Sequence, residues 1–149
     1  MYKSQWSTAD FAAMSWHDVH VYGFRLADQN PDHGTADLIF DIDYILEWSN
    51  VGEGFTFAVA QASLRFHQAS GLRFNLDYKT PTAGMCPFSL AGIERRTIAY
   101  PTGAQSFEWE LEVNWPTGKI EFEAPGFTQV LVGPIHRQPG QSLAPGQRT

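Results

Sequence analysis

Residues Leu38-Ile-Phe-Asp-Ile-Asp-Tyr-Ile-Leu-Glu-Trp48 alternate apolar side chains with carboxylates. Leu38, Phe40, Ile42, Tyr44, Leu46 and Trp48 occupy even positions, and Asp41, Asp43 and Glu47 odd ones. Successive side chains of a strand point to opposite faces, so the segment reads as a long β-strand with one apolar face and one face carrying three acids. The apolar set, Trp48 included, is expected in the core.

The rest of the chain has the same character. Strands are expected over 17–26, 36–48, 55–66, 72–78, 93–100, 107–115, 119–124 and 127–132. Phe107, Trp109, Leu111, Val113 and Trp115 alternate without a fault against Glu108, Glu110, Glu112 and Asn114, which marks a half-buried strand. The segment near Phe57-Ala-Val-Ala60 is apolar on both faces and is expected at the centre of a sheet. Turn chemistry falls between these runs, at 27–34, 50–54, 68–71, 80–87 and 116–118. Strand follows strand at hairpin spacing with no helical crossover, which predicts an all-β fold, an antiparallel β-sandwich or open barrel. A short N-terminal helix is expected within Ser4 to Met14, capped by Ser7 or Thr8 with Asp10 in its first turn. Residues 1–137 are read as a single β domain. Residues 138–149, rich in Pro, Gly and Gln, are read as a flexible C-terminal tail.

Composition narrows the function classes. The formal net charge is −6, and Arg95-Arg96 is the single adjacent basic pair, so the chain lacks the basic footprint of a nucleic-acid binder. A basic protein partner is compatible with that charge. Apolar runs are too short for a membrane span, and the first residues carry no apolar signal region, which gives the expectation of a cytoplasmic protein without membrane association. Cys86 is the one cysteine, so no internal disulfide forms. It lacks an activating signature and is expected to be a buried, inert thiol.

Two constellations could carry function. The first gathers Trp16, His17, Asp18 and His20 with Asp41 and Asp43. Histidines and carboxylates can hold a divalent cation or exchange protons near neutrality, the basis of an alternative reading as a small hydrolase or metal-dependent enzyme. Against it, His17 and His20 are three apart and would fall on opposite faces of one strand. A symmetric 27–34 loop makes opposing residue numbers sum to about 62, placing His20 against Ile42 on the apolar face, away from Asp41 and Asp43. A one-residue slip exchanges the faces. The preferred reading therefore packs His20 at the core rim, leaves the Asp pair on the other face, and assigns no catalytic residue, metal or cofactor. The second constellation is Glu108, Glu110 and Glu112, joined by Glu121 and Glu123 across the last hairpin, a docking face for a basic partner. A further alternative is a barrel that binds an apolar small ligand among its many Phe side chains.

The Trp16-His-Asp18 segment followed by Asp41-Ile-Asp-Tyr-Ile-Leu-Glu-Trp48 resembles a group of small uncharacterised bacterial proteins with a Trp-x-Asp segment and an Asp-Ile-Asp-Tyr-x-x-x-Trp strand. The Phe57-to-Asp77 region is similar as well, so the resemblance covers about the first half of the chain. It implies no activity or catalytic residues. In size and charge the chain also resembles immunity proteins of bacterial toxin systems. The function expected is a non-enzymatic cytosolic interaction domain with an immunity-like role.

Overall fold

A computed structural model describes residues 2–52, 54–79 and 84–149. The chain is all-β. Among the described residues nine strands run β1 Gln5–Ser7, β2 His20–Asn30, β3 Thr35–Val51, β4 Gly54–Leu76, β5 Phe88–Ala99, β6 Gln105–Trp115, β7 Gly118–Ala124, β8 Gly126–Leu131 and β9 His136–Gln138. Every pairing is antiparallel.

β4 organises the sheet. Its first half pairs with β3 on one side and with β8 and β9 on the other, and its last residues pair with β7. The expected all-β antiparallel fold is found, and its sheet is ring-like: the path β4-β3-β2-β5-β6-β7 returns to β4. The seam between β2 and β5 is short, with His20 opposite Ser89 and Val21 opposite Phe88. Closure satisfies strand edges that an open sheet would leave unpaired.

β4 is one strand where the sequence suggested two separated by a turn at 68–71. Gln68 and Gly71 adopt left-handed backbone, with φ 51° and 63°. The irregularity bends the strand without reversing it, and the β7 register shifts between Ser70 and Arg73. A bulge of this kind turns a barrel corner while the ladder continues. The expected N-terminal helix is also corrected. Residues 5–7 pair with β8, and only a 3-10 turn, Thr8–Ala13, follows. Thr8 Oγ1 accepts the Phe127 N–H at 2.8 Å, tying that turn to the sheet.

The ring interior is filled by side chains. Leu38, Phe40, Ile42, Leu64, Phe66, Leu90, Trp109, Leu111, Ile120, Phe122 and Phe127 are buried there. Phe66 meets Trp109, Phe122 and Phe127 at ring-centroid distances of 5.0, 4.6 and 5.9 Å. Such tilted and edge-on ring contacts are the favourable geometries for packed aromatic side chains. Trp48 departs from the expected core at 51% exposure. The β3–β4 register slips between Ile45 and Glu47, and the extra residue turns Trp48 onto the face opposite Tyr44, where it pairs with Phe57.

The outer face of β3 and β4 is covered too. Ile39, Ile45, Val59 and Gln61 are buried on it. Part of the cover is the segment expected to be a flexible tail. Gln138, the last residue of β9, pairs with Phe57, Leu143 is buried, and Arg148 reaches the β3 acids. The expected 80–87 loop lies partly outside the described residues, which resume at Gly84. Cys86, expected to be buried, is exposed. Among the described residues, no helix is long and apolar enough to cross a membrane.

Candidate functional site

The β2–β3 register decides the fate of the first constellation. His20 lies opposite Asp43 and Val21 opposite Ile42; after a bulge between Val21 and Gly23, Phe24 lies opposite Phe40. The symmetric-loop register is thus wrong by one residue at His20 and by two beyond the bulge. β2 continues to Asn30 and carries a second irregularity between Ala27 and Asn30, so the connecting loop is shorter and asymmetric. Paired residues share a face, so His20 sits on the face of Asp43 and not in the core rim. Burial holds His20 below the usual histidine range, against a weaker opposing influence from Asp18. Its Nδ1 is buried without a hydrogen-bond partner.

Trp16, His17 and Asp18 form a tight turn ahead of β2. The Val19 N–H donates to the Trp16 carbonyl at 3.1 Å, and Asp18 takes φ 64°, a conformation that Asp tolerates better than most side chains. The turn separates Trp16 from the other two, whose side chains meet: His17 Nε2 lies 3.4 Å from Asp18 Oδ2. Trp16 is buried and donates from Nε1 to Gln129 Oε1 at 2.8 Å. His17 is exposed, donates from Nδ1 to the Ala91 carbonyl at 3.1 Å, and stacks on Trp48. Asp18 accepts from Gln141 Nε2 at 3.1 Å.

Asp41 is half-exposed, whereas Asp43 is enclosed. Asp43 is fully buried, and its Oδ2 accepts from the Tyr22 hydroxyl and the Leu143 N–H, each at 2.8 Å. Its Oδ1 accepts from Arg148 Nη1. Arg148 Nη2 donates to Asp41 Oδ1, which also accepts from Gln61 Nε2 at 3.1 Å. The guanidinium carbon lies 3.5 Å from the centre of the Tyr22 ring. Two carboxylates in the plane of a guanidinium and an aromatic face against it form a slot suited to arginine. Burial raises the Tyr22 pKa, while Arg148 and Ser142 oppose that rise, so Tyr22 serves as a neutral hydroxyl donor. The sequence reading missed Tyr22, Gln61 and Arg148. Arg148 and Leu143 are isolated bulky side chains in an otherwise Pro-, Gly- and Gln-rich segment, and that isolation was the available signal.

Beside the slot runs an open groove of about 390 Å³, lined by Gly23, Arg25, Ile39, Asp41, Ser63 and Val132 among others. None of residues 133–149 lines it.

The second constellation lies on the outer face of β5, β6 and β7. Glu94 faces Glu110, Glu110 faces Glu121, and Glu108 faces Glu123. Glu94, Glu110 and Glu112 bring carboxylate oxygens within 4.8 Å of one another, the one convergence of three potential metal ligands found among the described residues. Lys119 contacts Glu121 at 2.8 Å and Glu110 at 3.4 Å, and Arg96 pairs with Glu108. Hydrogen bonding and charge from Glu121 raise the Lys119 pKa, and Lys119 lowers that of Glu121. Glu94 was missing from the predicted set, although its alternation with Ile93 places it on this face.

Comparison with protein-family models, curated proteins and solved structures finds no match for this chain. The functional argument therefore rests on the two charged faces themselves.

Proposed function

We propose that this chain is a non-enzymatic interaction domain whose partner presents a basic protein surface to the outer face of β5, β6 and β7. The supporting observation is the register, which sets Glu94 against Glu110, Glu110 against Glu121, and Glu108 against Glu123. Like charges directly opposite each other destabilise a sheet; Lys119, Arg96, Arg73 opposite Glu121 and the Tyr100 hydroxyl on Glu123 offset part of this repulsion, while Glu94 and Glu112 have no cation against them in an ion pair among the described residues. Lysine and arginine side chains from a partner would relieve it, and complementary charge would speed the encounter. The net charge of −6 favours the same kind of partner. An immunity-like role in a bacterial cytoplasm, with a basic toxin as the partner, accords with this reading.

The test combines Glu94→Gln, Glu110→Gln and Glu112→Gln in one chain. The variant should be at least as stable as the parent, because repulsion is removed. A partner captured by the parent at low salt should be lost both with the variant and at high salt. Equal capture by parent and variant would refute the assignment.

A further inference from the structure

The Asp41–Asp43–Tyr22 slot lies on a different surface from the glutamate face, and its chemistry is shown by what occupies it. We propose that it is a recognition site for arginine in an extended segment of a partner protein, and that residues 144–149 are a displaceable internal occupant.

The selectivity for arginine follows from the geometry. One guanidinium nitrogen reaches Asp43 and the other reaches Asp41, while the planar carbon stacks on Tyr22 at 3.5 Å. A lysine ammonium is a compact point charge that cannot span two carboxylates while stacking through a planar group. The slot is also supported from behind. The Tyr22 hydroxyl and the N–H of the buried Leu143, both outside the displaceable residues, hold Asp43, and Gln61 Nε2 holds Asp41.

Displacement follows from what the internal segment leaves unfilled. Asp41 borders both the slot and the open groove, whose other lining includes Ile39, Ser63 and the exposed Val132. A Cβ added at Gly23 would meet no atom within 4 Å, so the groove has room above the β2 backbone. A partner segment with an apolar residue next to its arginine fills slot and groove together, whereas residues 144–149 leave the groove unfilled. The internal segment competes at an effective concentration of roughly millimolar for a short tether, so the parent chain should bind such a segment weakly until Arg148 leaves.

The probe is an acetylated Gly-Gly-Arg-Leu-Gly-Gly amide, titrated by calorimetry into the full chain carrying Arg148→Ala. Saturable binding is expected, about tenfold or more tighter than to the parent chain. It should weaken by about tenfold when the peptide arginine is replaced by lysine or glutamine, and also on adding Asp41→Asn, which alters a half-exposed acid. If Arg148→Ala does not fold, Arg148→Lys takes its place. In the unaltered chain, saturating peptide should speed hydrogen exchange in residues 144–149 while Leu143 and the β4 core stay protected. Absence of saturable binding to the folded variant, or equal binding of the arginine and glutamine peptides, would overturn the proposal. Either result leaves the glutamate-face assignment standing, because its variants lie on β5 and β6.

Discussion

Gly118→Ala tests whether the ring closes as described. Gly118 is the first residue of β7 and lies opposite Leu76 at the end of β4. A Cβ there would fall deep inside contact distance of the Asn75 carbonyl oxygen, and within 2.9 Å of Leu76 Cδ2 and 3.1 Å of the Asn75 carbonyl carbon. The Leu76 side chain can rotate away. The carbonyl cannot move without pulling β4 from β7, the pairing that completes the ring. Overpacking a tight site costs about 1–3 kcal/mol, and one weakened ladder hydrogen bond adds about 1 kcal/mol. A loss of about 3 kcal/mol is therefore expected, equivalent to roughly 6–12 °C in Tm for a chain of this size. Urea unfolding followed by Trp fluorescence measures it. Gly23→Ala is the control. It sits in a strand with nothing within 4 Å of the added Cβ, so its effect should stay within about 0.5–1 kcal/mol, in the stabilising direction. A Gly118→Ala loss below about 0.5 kcal/mol would mean that β7 does not approach β4 in this way, and the closed-ring argument would fail.

Leu111 is fully buried between Ile93 and Ile120, so Leu111→Ala should cost roughly 2–5 kcal/mol, whereas Trp48→Ala at a half-exposed site should cost less; equal costs in urea titrations would contradict the bulge at 45–47. Burial lowers the His20 pKa from its ordinary 6.5, so the unfolded chain binds the extra proton first. Stability should consequently fall as the pH drops below about 6.5 toward the lower folded-state value, and His20→Gln should flatten that slope in denaturant midpoints compared between pH 7.5 and 5.5. Glu47, whose pKa is lowered by Tyr2 and Arg137, adds its own loss only nearer its ordinary 4.5, which separates the two windows. Calorimetric titration with zinc and manganese should show no stoichiometric site that disappears in both His17→Ala and Asp41→Ala, because Asp41 is engaged by Arg148 and Gln61 while His17 is engaged by Ala91.

The sequence by itself determined the all-β class, the central position of the segment around Phe57–Ala60 and the alternation of β6. Each depends on the two-residue period of a strand, a local property that survives whatever the strand packs against. It also placed Glu108, Glu110 and Glu112 on one face, because that period was unbroken. The tertiary structure alone decided the ring closure, the burial of Asp43, the exposure of Trp48 and the union of Asp41 and Asp43 with Arg148. Single-residue bulges in β2 and β3 exchange faces without disturbing composition or spacing, so alternation counted through them puts His20 and Trp48 on the wrong sides. The arginine slot joins residues more than 100 positions apart, and the tail that supplies Arg148 has no period to read. Its order comes from a buried carboxylate that needs a counter-charge, a requirement that arises only once β2, β3 and β4 have assembled.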